Sequence, residues 1–179
     1  MTERVIIAGA GGQGIMLLGK VLAEAAMREN KQVSWFPSYG AEVRGGTAYC
    51  MVVVSDQEIA SPYVQEADTL IIMNQPSLER FKARIKKNGL LIINSSLANP
   101  DSEKAPAHFL KQPFTGLAIE LGNIKVANII ALGYFLAQTK LVQPETVMKV
   151  IEDFAPQDKK ELVEINQKAL LIGTKLSLV

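Results

Sequence analysis

The stretch IIAGAGGQGIML, residues 6–17, constrains the fold more than any other feature of the chain. An apolar run flows into glycines spaced Gly9-x-Gly11-x-x-Gly14, and the residues that follow repeat at helical spacing. Ile15, Leu18, Leu22 and Ala25 share one helical face, while Lys20, Glu24 and Arg28 fall largely away from it. Strand, glycine turn and helix in that order form the context in which such a motif holds a dinucleotide or another phosphate. Gly9 suits the tight turn, Gly11 a close approach of backbone to ligand, and Gly14 a helix lying near the strand. The helix start offers unpaired N–H groups and a positive dipole end to an anion. Backbone contact with another protein, or plain helix–sheet packing, would use the same glycines.

The rest of the chain extends this beginning. RVIIA, residues 4–8, suits a buried parallel strand, and Asn30 ends the first helix. Val33–Phe36 predicts a second strand, giving a βαβ start, and the loop PSYGAEVRGG leads to a strand over 47–55. TLIIM and LLIIN, residues 69–73 and 90–94, predict two more strands. Between them Pro76 opens a helix anchored by Leu78, Phe81 and Ile85 and closed by Asn88-Gly89. Residues 95–113 carry three prolines and leave room for one short strand at His108–Lys111. Helices are expected over 115–122, 125–138, 144–154 and 158–174. The expectation is a single α/β domain over 1–179, with a Rossmann-like, mostly parallel sheet, flanking helices and a helical C-terminal third.

Composition removes several functions. A net charge of +1 on 179 residues gives no global case for nucleic acid or an acidic partner. No apolar run reaches the roughly 20 residues a membrane span needs. MTERVIIAG passes directly into a strand, which leaves no room for a signal peptide, so a cytoplasmic protein is expected. One cysteine, Cys50, and one histidine, His108, exclude a cysteine-ligated cluster and a two-histidine zinc site, and no catalytic or metal-binding residue is assigned. Cys50 lies in a strand and is expected in the core. A nicotinamide dinucleotide also demands an Asp or Glu at the end of the second strand. That strand ends VSWFP, with no carboxylate and no arginine.

The stretch SYGAEVRGGTAY places Tyr39, Gly40, Glu42, Arg44, Gly45 and Gly46 near the carboxyl end of a strand, the edge where open α/β sheets bind ligands. The Arg44 fork suits a phosphate or a carboxylate. Asn94 ends a strand at the same expected edge, and Asn128 is polar within an apolar helical periodicity, placed to satisfy buried backbone or to line the site.

GAGGQGIMLLGKVLAEAA together with SYGAEVRGGTAYCMVVVSDQEIASP resembles the gamma subunit, or gamma domain, of the 2-oxoacid:ferredoxin oxidoreductases. EADTLIIMNQPSLERF, KKNGLLIINSS and ELGNIKVANIIALGYFL extend the resemblance over nearly the whole chain. WFPSYGAEVRGGTAY looks more like the 2-oxoglutarate members, with branched-chain oxoacid and pyruvate enzymes close behind. The resemblance implies a pyruvate/ketoisovalerate oxidoreductase gamma-type domain, part of a complex that oxidises a 2-oxoacid to an acyl-coenzyme A. Its partners would be alpha, beta and ferredoxin-like delta subunits, with ferredoxin as electron acceptor. Thiamine diphosphate and iron–sulfur clusters would lie on the partner subunits only. Coenzyme A would meet Gly9, Gly11, Gly12, Gln13, Gly14, Tyr39, Gly40, Glu42, Arg44, Gly45, Gly46 and Asn94, Gln13 donating an amide hydrogen bond. Docking of YGAEVRGG on the other subunits is the rival use of the same loop, and a stand-alone dinucleotide oxidoreductase the rival function.

Overall fold

The structure is a computed structural model that describes residues 1–38, 47–99, 108–156 and 160–176. Six strands form one sheet: β1 (Thr2–Ala10), β2 (Gln32–Ser38), β3 (Thr47–Ser55), β4 (Ala67–Ile72), β5 (Ile85–Asn94) and β6 (His108–Gln112). Their order is β2-β3-β1-β4-β5-β6. The β1–β4, β4–β5 and β5–β6 pairings are parallel, whereas β3 runs antiparallel to both β1 and β2. The α/β, mostly parallel expectation therefore holds, but the βαβ start is not a pairing of neighbours. Strand β3 inserts between β1 and β2 and moves β2 to the edge of the sheet. An edge strand needs only one row of backbone partners, which is why Pro37 is accommodated inside β2 rather than in the loop after it.

Alternation along the strands builds two cores. Val5, Ile7, Cys50, Val52, Val54, Ile71 and Ile92 point to one face. There they meet α1 (Ile15–Arg28), α3 (Phe114–Glu120), α4 (Ala127–Thr139), α5 (Pro144–Phe154) and α6 (Lys160–Lys175). Ile6, Ala8, Met51, Val53, Leu70, Ile72 and Ile93 point to the other, where α2 (Gln75–Phe81) covers them with Leu78 and Phe81. Both faces being covered explains why VIIA and LIIM, residues 5–8 and 70–73, are unbroken apolar runs.

Helix α2 is shorter than its sequence suggests. It ends at Phe81, a single 3₁₀ turn follows over Lys82–Arg84, and Ile85 already begins β5. Asn88-Gly89, expected as the helix stop, lies inside that strand. A Cβ on Gly89 would stand 2.6 Å from Ile85 Cδ1 and 2.9 Å from the Asp68 carbonyl oxygen. The strand register shifts at that point, between Ala67 and Thr69. The glycine thus serves a bulge, where backbones approach closely, and not a helix end.

Helix α4 is buried along almost its whole length, sandwiched between the sheet and α6. The two helices cross backbone to backbone: a Cβ on Gly133 would strike the Leu170 carbonyl oxygen, and one on Gly173 the Ile130 carbonyl oxygen. In an exposed helix, alanine is favoured over glycine by about 0.8–1 kcal/mol. Here the sign reverses. Gly173→Ala is expected to lower the unfolding free energy by about 1–3 kcal/mol through overpacking, measured by chemical denaturation.

Candidate functional site

The glycine loop joins β1 to α1 at the carboxyl edge of the parallel strands. Gly12 and Gly14 adopt φ 88° and 71°, the left-handed region that favours glycine. A Cβ on Gly11 or Gly12 would meet nothing within 4 Å, so these two residues turn open backbone outward. Gly9 and Gly14 are enclosed instead. A Cβ on Gly9 would stand 2.6 Å from Gln13 Oε1 and 2.9 Å from Met73 Cβ. One on Gly14 would collide with the amide of Asn128 on α4, so the closeness that Gly14 permits is to that amide and not to the strand. Gly14 caps α1 and, having no side chain, supplies no cap hydrogen bond of its own.

Side-chain amides hold this loop in shape. Gln13 Oε1 accepts the Ala10 N–H at 2.6 Å, and Gln13 Nε2 donates to the Met73 carbonyl oxygen at 3.1 Å. Asn128 Nδ2 donates to the Gly14 carbonyl oxygen at 3.0 Å, which resolves its two sequence readings in favour of buried backbone. Asn94 is fully buried, with Nδ2 donating to the Met73 carbonyl oxygen at 3.2 Å and to Thr115 Oγ1 at 2.8 Å. Its Oδ1 accepts the Thr115 N–H at 3.2 Å. Asn94 therefore belongs to the frame beneath the loop, and the Gln13 amide is engaged within it.

Beside Gly12 and Gln13 opens a cavity of about 140 Å³, walled by Met73, Leu97 and Ile124 with Lys125 among the lining residues. Lys125 makes no ion pair among the described residues. Leu97, Ile119 and Ile124 are 46%, 59% and 56% exposed. Sequence reasoning passed over Leu97, Ile124 and Lys125. The available signal was GNIKVAN, a cation one turn before an apolar helix.

Tyr39, Gly40, Glu42, Arg44, Gly45 and Gly46 lie outside the described residues. Their described neighbours, Ser38 and Thr47, end β2 and begin β3, and Thr47 pairs with Ala10 at the root of the glycine loop. The two informative stretches of sequence thus start from one sheet edge. Strand β2 itself sits two places from β1, about 10 Å away at ordinary strand spacing. A dinucleotide fold needs those strands adjacent, with a carboxylate at the end of the second. Neither condition is met.

A family profile described as pyruvate ferredoxin/flavodoxin oxidoreductase matches residues 4–176. The chain belongs to this family. Ketoisovalerate oxidoreductase subunit VorA of Methanothermobacter marburgensis is 36% identical over 170 residues, covering 95% of this chain and 35% of that protein. 2-Oxoglutarate synthase subunit KorC of Archaeoglobus fulgidus is 37% identical over 171 residues, covering 95% of this chain and 85% of KorC. The chain thus spans about a third of VorA and most of KorC, at identities that do not separate the two substrates. Among solved structures, the gamma subunit of a keto/oxoacid ferredoxin oxidoreductase from Geobacter sulfurreducens PCA superposes with a TM-score of 0.82. It is 30% identical, and the match covers 98% of each chain. No helix among the described residues is long and apolar enough to cross a membrane.

Cys50 lies on β3 behind α1, fully buried, where burial pushes its thiol up to about 12. Unfolding restores an ordinary thiol near pKa 8.5. The contribution of this group to stability is therefore complete below that pH and is lost as pH climbs from there toward about 12. A disulfide reagent at neutral pH is expected to leave Cys50 unlabelled until denaturant is added. In the frame under the loop, Asn94→Ala is expected to cost about 1–3 kcal/mol of stability in urea denaturation, because it leaves buried polar atoms of Thr115 unpaired.

Proposed function

We propose that this chain, as a single domain over 1–179, is the gamma subunit of a coenzyme A-acylating 2-oxoacid:ferredoxin oxidoreductase and holds coenzyme A for the reaction. The observation that carries the reading is the glycine loop: Gly11 and Gly12 present open backbone beside a largely apolar cavity lined in part by Lys125, which makes no ion pair among the described residues. Phosphates of the nucleotide end suit the backbone N–H groups at the start of α1, Lys125 and Arg44. The pantetheine arm suits the wall of Met73, Leu97 and Ile124. Tyr39, Gly40, Glu42, Gly45 and Gly46, in the other stretch, are assigned to the same ligand. Gln13 and Asn94 act at one remove by holding the loop and its base.

The chain supplies position rather than chemistry. Binding energy gathered at the remote nucleotide places the coenzyme A thiol at a reacting centre on a partner subunit. That centre needs thiamine diphosphate and an iron–sulfur path to ferredoxin, held by alpha, beta and delta subunits. The substrate we assign is 2-oxoglutarate, on the resemblance of WFPSYGAEVRGGTAY, and the compartment the cytoplasm. A second use of the edge, as a subunit contact, is favoured by Leu97 and Ile124, large apolar side chains that line the cavity and remain exposed.

The test is to purify the complex through a tag on this chain and measure subunit masses, iron and thiamine diphosphate. Viologen reduction is then followed with 2-oxoglutarate, 2-ketoisovalerate and pyruvate, each with coenzyme A. Fastest turnover on 2-oxoglutarate is expected; preference for another 2-oxoacid keeps the role and replaces the substrate. Arg44→Ala and Lys125→Ala are each expected to raise KM for coenzyme A about tenfold, with kcat nearly unchanged. Loss of the chain from the complex, with KM unaltered in what remains assembled, would assign these residues to the interface instead.

A further inference from the structure

The face of the sheet covered by α2 carries a charge pattern that the glycine loop does not use. Five of the eight residues from Arg80 to Lys87 are Lys or Arg and none is Asp or Glu, in a chain with 19 cations and 18 anions overall. Lys86 is paired with Asp68. Arg80, Lys82 and Lys87 are exposed and make no ion pair among the described residues. Glu79, beside Arg80, accepts a hydrogen bond from Gln75 Nε2 at 3.3 Å.

Aromatic rings fix two of these cations. The Arg80 guanidinium stands 5.0 Å from the centroid of Tyr49 and 5.3 Å from that of Phe81. Arg84 stands 5.1 Å from the centroid of Tyr63, and its Nε donates to the Gln65 carbonyl oxygen at 3.1 Å. Tyr63 and Phe36 remain 55% and 40% exposed. Phe36 faces Met51 across the β2–β3 ladder, which puts it on the same side of the sheet as Tyr49. The stacked Arg80 guanidinium loses little further freedom on pairing with a carboxylate, and its fork matches one, whereas Arg84 Nε and Nη2 already donate to the Gln65 and Val64 carbonyl oxygens. Arginine and tyrosine, half-exposed and already ordered, are the residues that dominate binding at protein interfaces.

We propose that the face formed by Phe36, Tyr49, Tyr63, Arg80, Lys82 and Arg84 docks an acidic surface of a companion subunit. Charge complementarity selects the occupant: unpaired cations are steered toward carboxylates and pair with them once water is excluded. The rings do not suit nucleic acid, because Arg80 and Arg84 already cover the faces of Tyr49 and Tyr63 on which bases would stack. A unit that makes up only a third of VorA is also one that works beside further protein. The docking face does not depend on which 2-oxoacid the complex oxidises, nor on where coenzyme A binds.

The experiment uses the assembled complex, purified through a tag on this chain. A zero-length carbodiimide is expected to couple Lys82 or Lys87 to an Asp or Glu of a companion subunit, and high salt during coupling to abolish the product. The double substitution Arg80→Glu, Lys82→Glu is expected to weaken association at least about tenfold, while Arg80→Lys, Lys82→Arg weakens it less. Lys149→Glu, Lys168→Glu on the helical side should leave association unchanged. Circular dichroism of the isolated chains checks folding, and the wild-type cross-link decides the matter if the charge reversal fails to fold. Cross-links confined to this chain, association unaffected by charge reversal, a chain that purifies without companions, or retention of a short DNA duplex by this face would each overturn the proposal.

Discussion

The carbonyl oxygen of Met73 is the point on which the carboxyl edge depends. It accepts one hydrogen bond from Gln13, in the loop after β1, and a second from Asn94, at the end of β5. Its own residue follows β4, and the Met73 N–H donates to the Ala8 carbonyl oxygen at 2.8 Å. Three strand ends are thereby tied through one residue. Asn94 carries the tie on to the start of α3 through Thr115. A buried amide network of this kind is costly when half made and rigid when complete. It supports the turn that carries Gly11 and Gly12, at which an added Cβ would meet nothing within 4 Å.

The insertion of β3 has a different consequence. It separates β2 from β1 and so removes the place where a dinucleotide fold recognises a ribose. In exchange it brings Thr47 beside Ala10. The same topological step that closes one ligand mode therefore sets the start of β3 at the root of the glycine loop. β3 is also buried from Cys50 to Ser55, so the insertion is part of both cores and cannot be a late decoration.

What was legible in the sequence followed from local chemistry. The strand over 47–55 agrees with its observed bounds because β-branched residues fill a central strand flanked by glycine and a turn. The helical C-terminal third was legible from Gly122-Asn123 and Gln143-Pro144, which the structure uses as breaks. Asn88-Gly89 misled because its turn propensity is local, whereas pairing with β4 decided the outcome. Gly133 and Gly173 carried no signal at all: each is required by a partner far along the chain, Leu170 and Ile130, and only the meeting of α4 with α6 makes the requirement visible. Gln13 and Asn94 were recognised as belonging to the edge. Their bonds point inward because the loop's own backbone needed partners before any ligand did.

Tyr49 connects the two surfaces of the molecule. Its backbone pairs with Ala8 on one side and Ser38 on the other, directly beneath the carboxyl edge. Its ring lies 4.9 Å from that of Phe81 and under the guanidinium of Arg80. A partner seated on Arg80 would press on the strand whose first residues border the glycine loop. Docking and ligand positioning then share one rigid element, and a strand buried on both faces moves as a unit or not at all. A subunit contact placed there can hold the edge in register without touching the cavity beside Gly12 and Gln13.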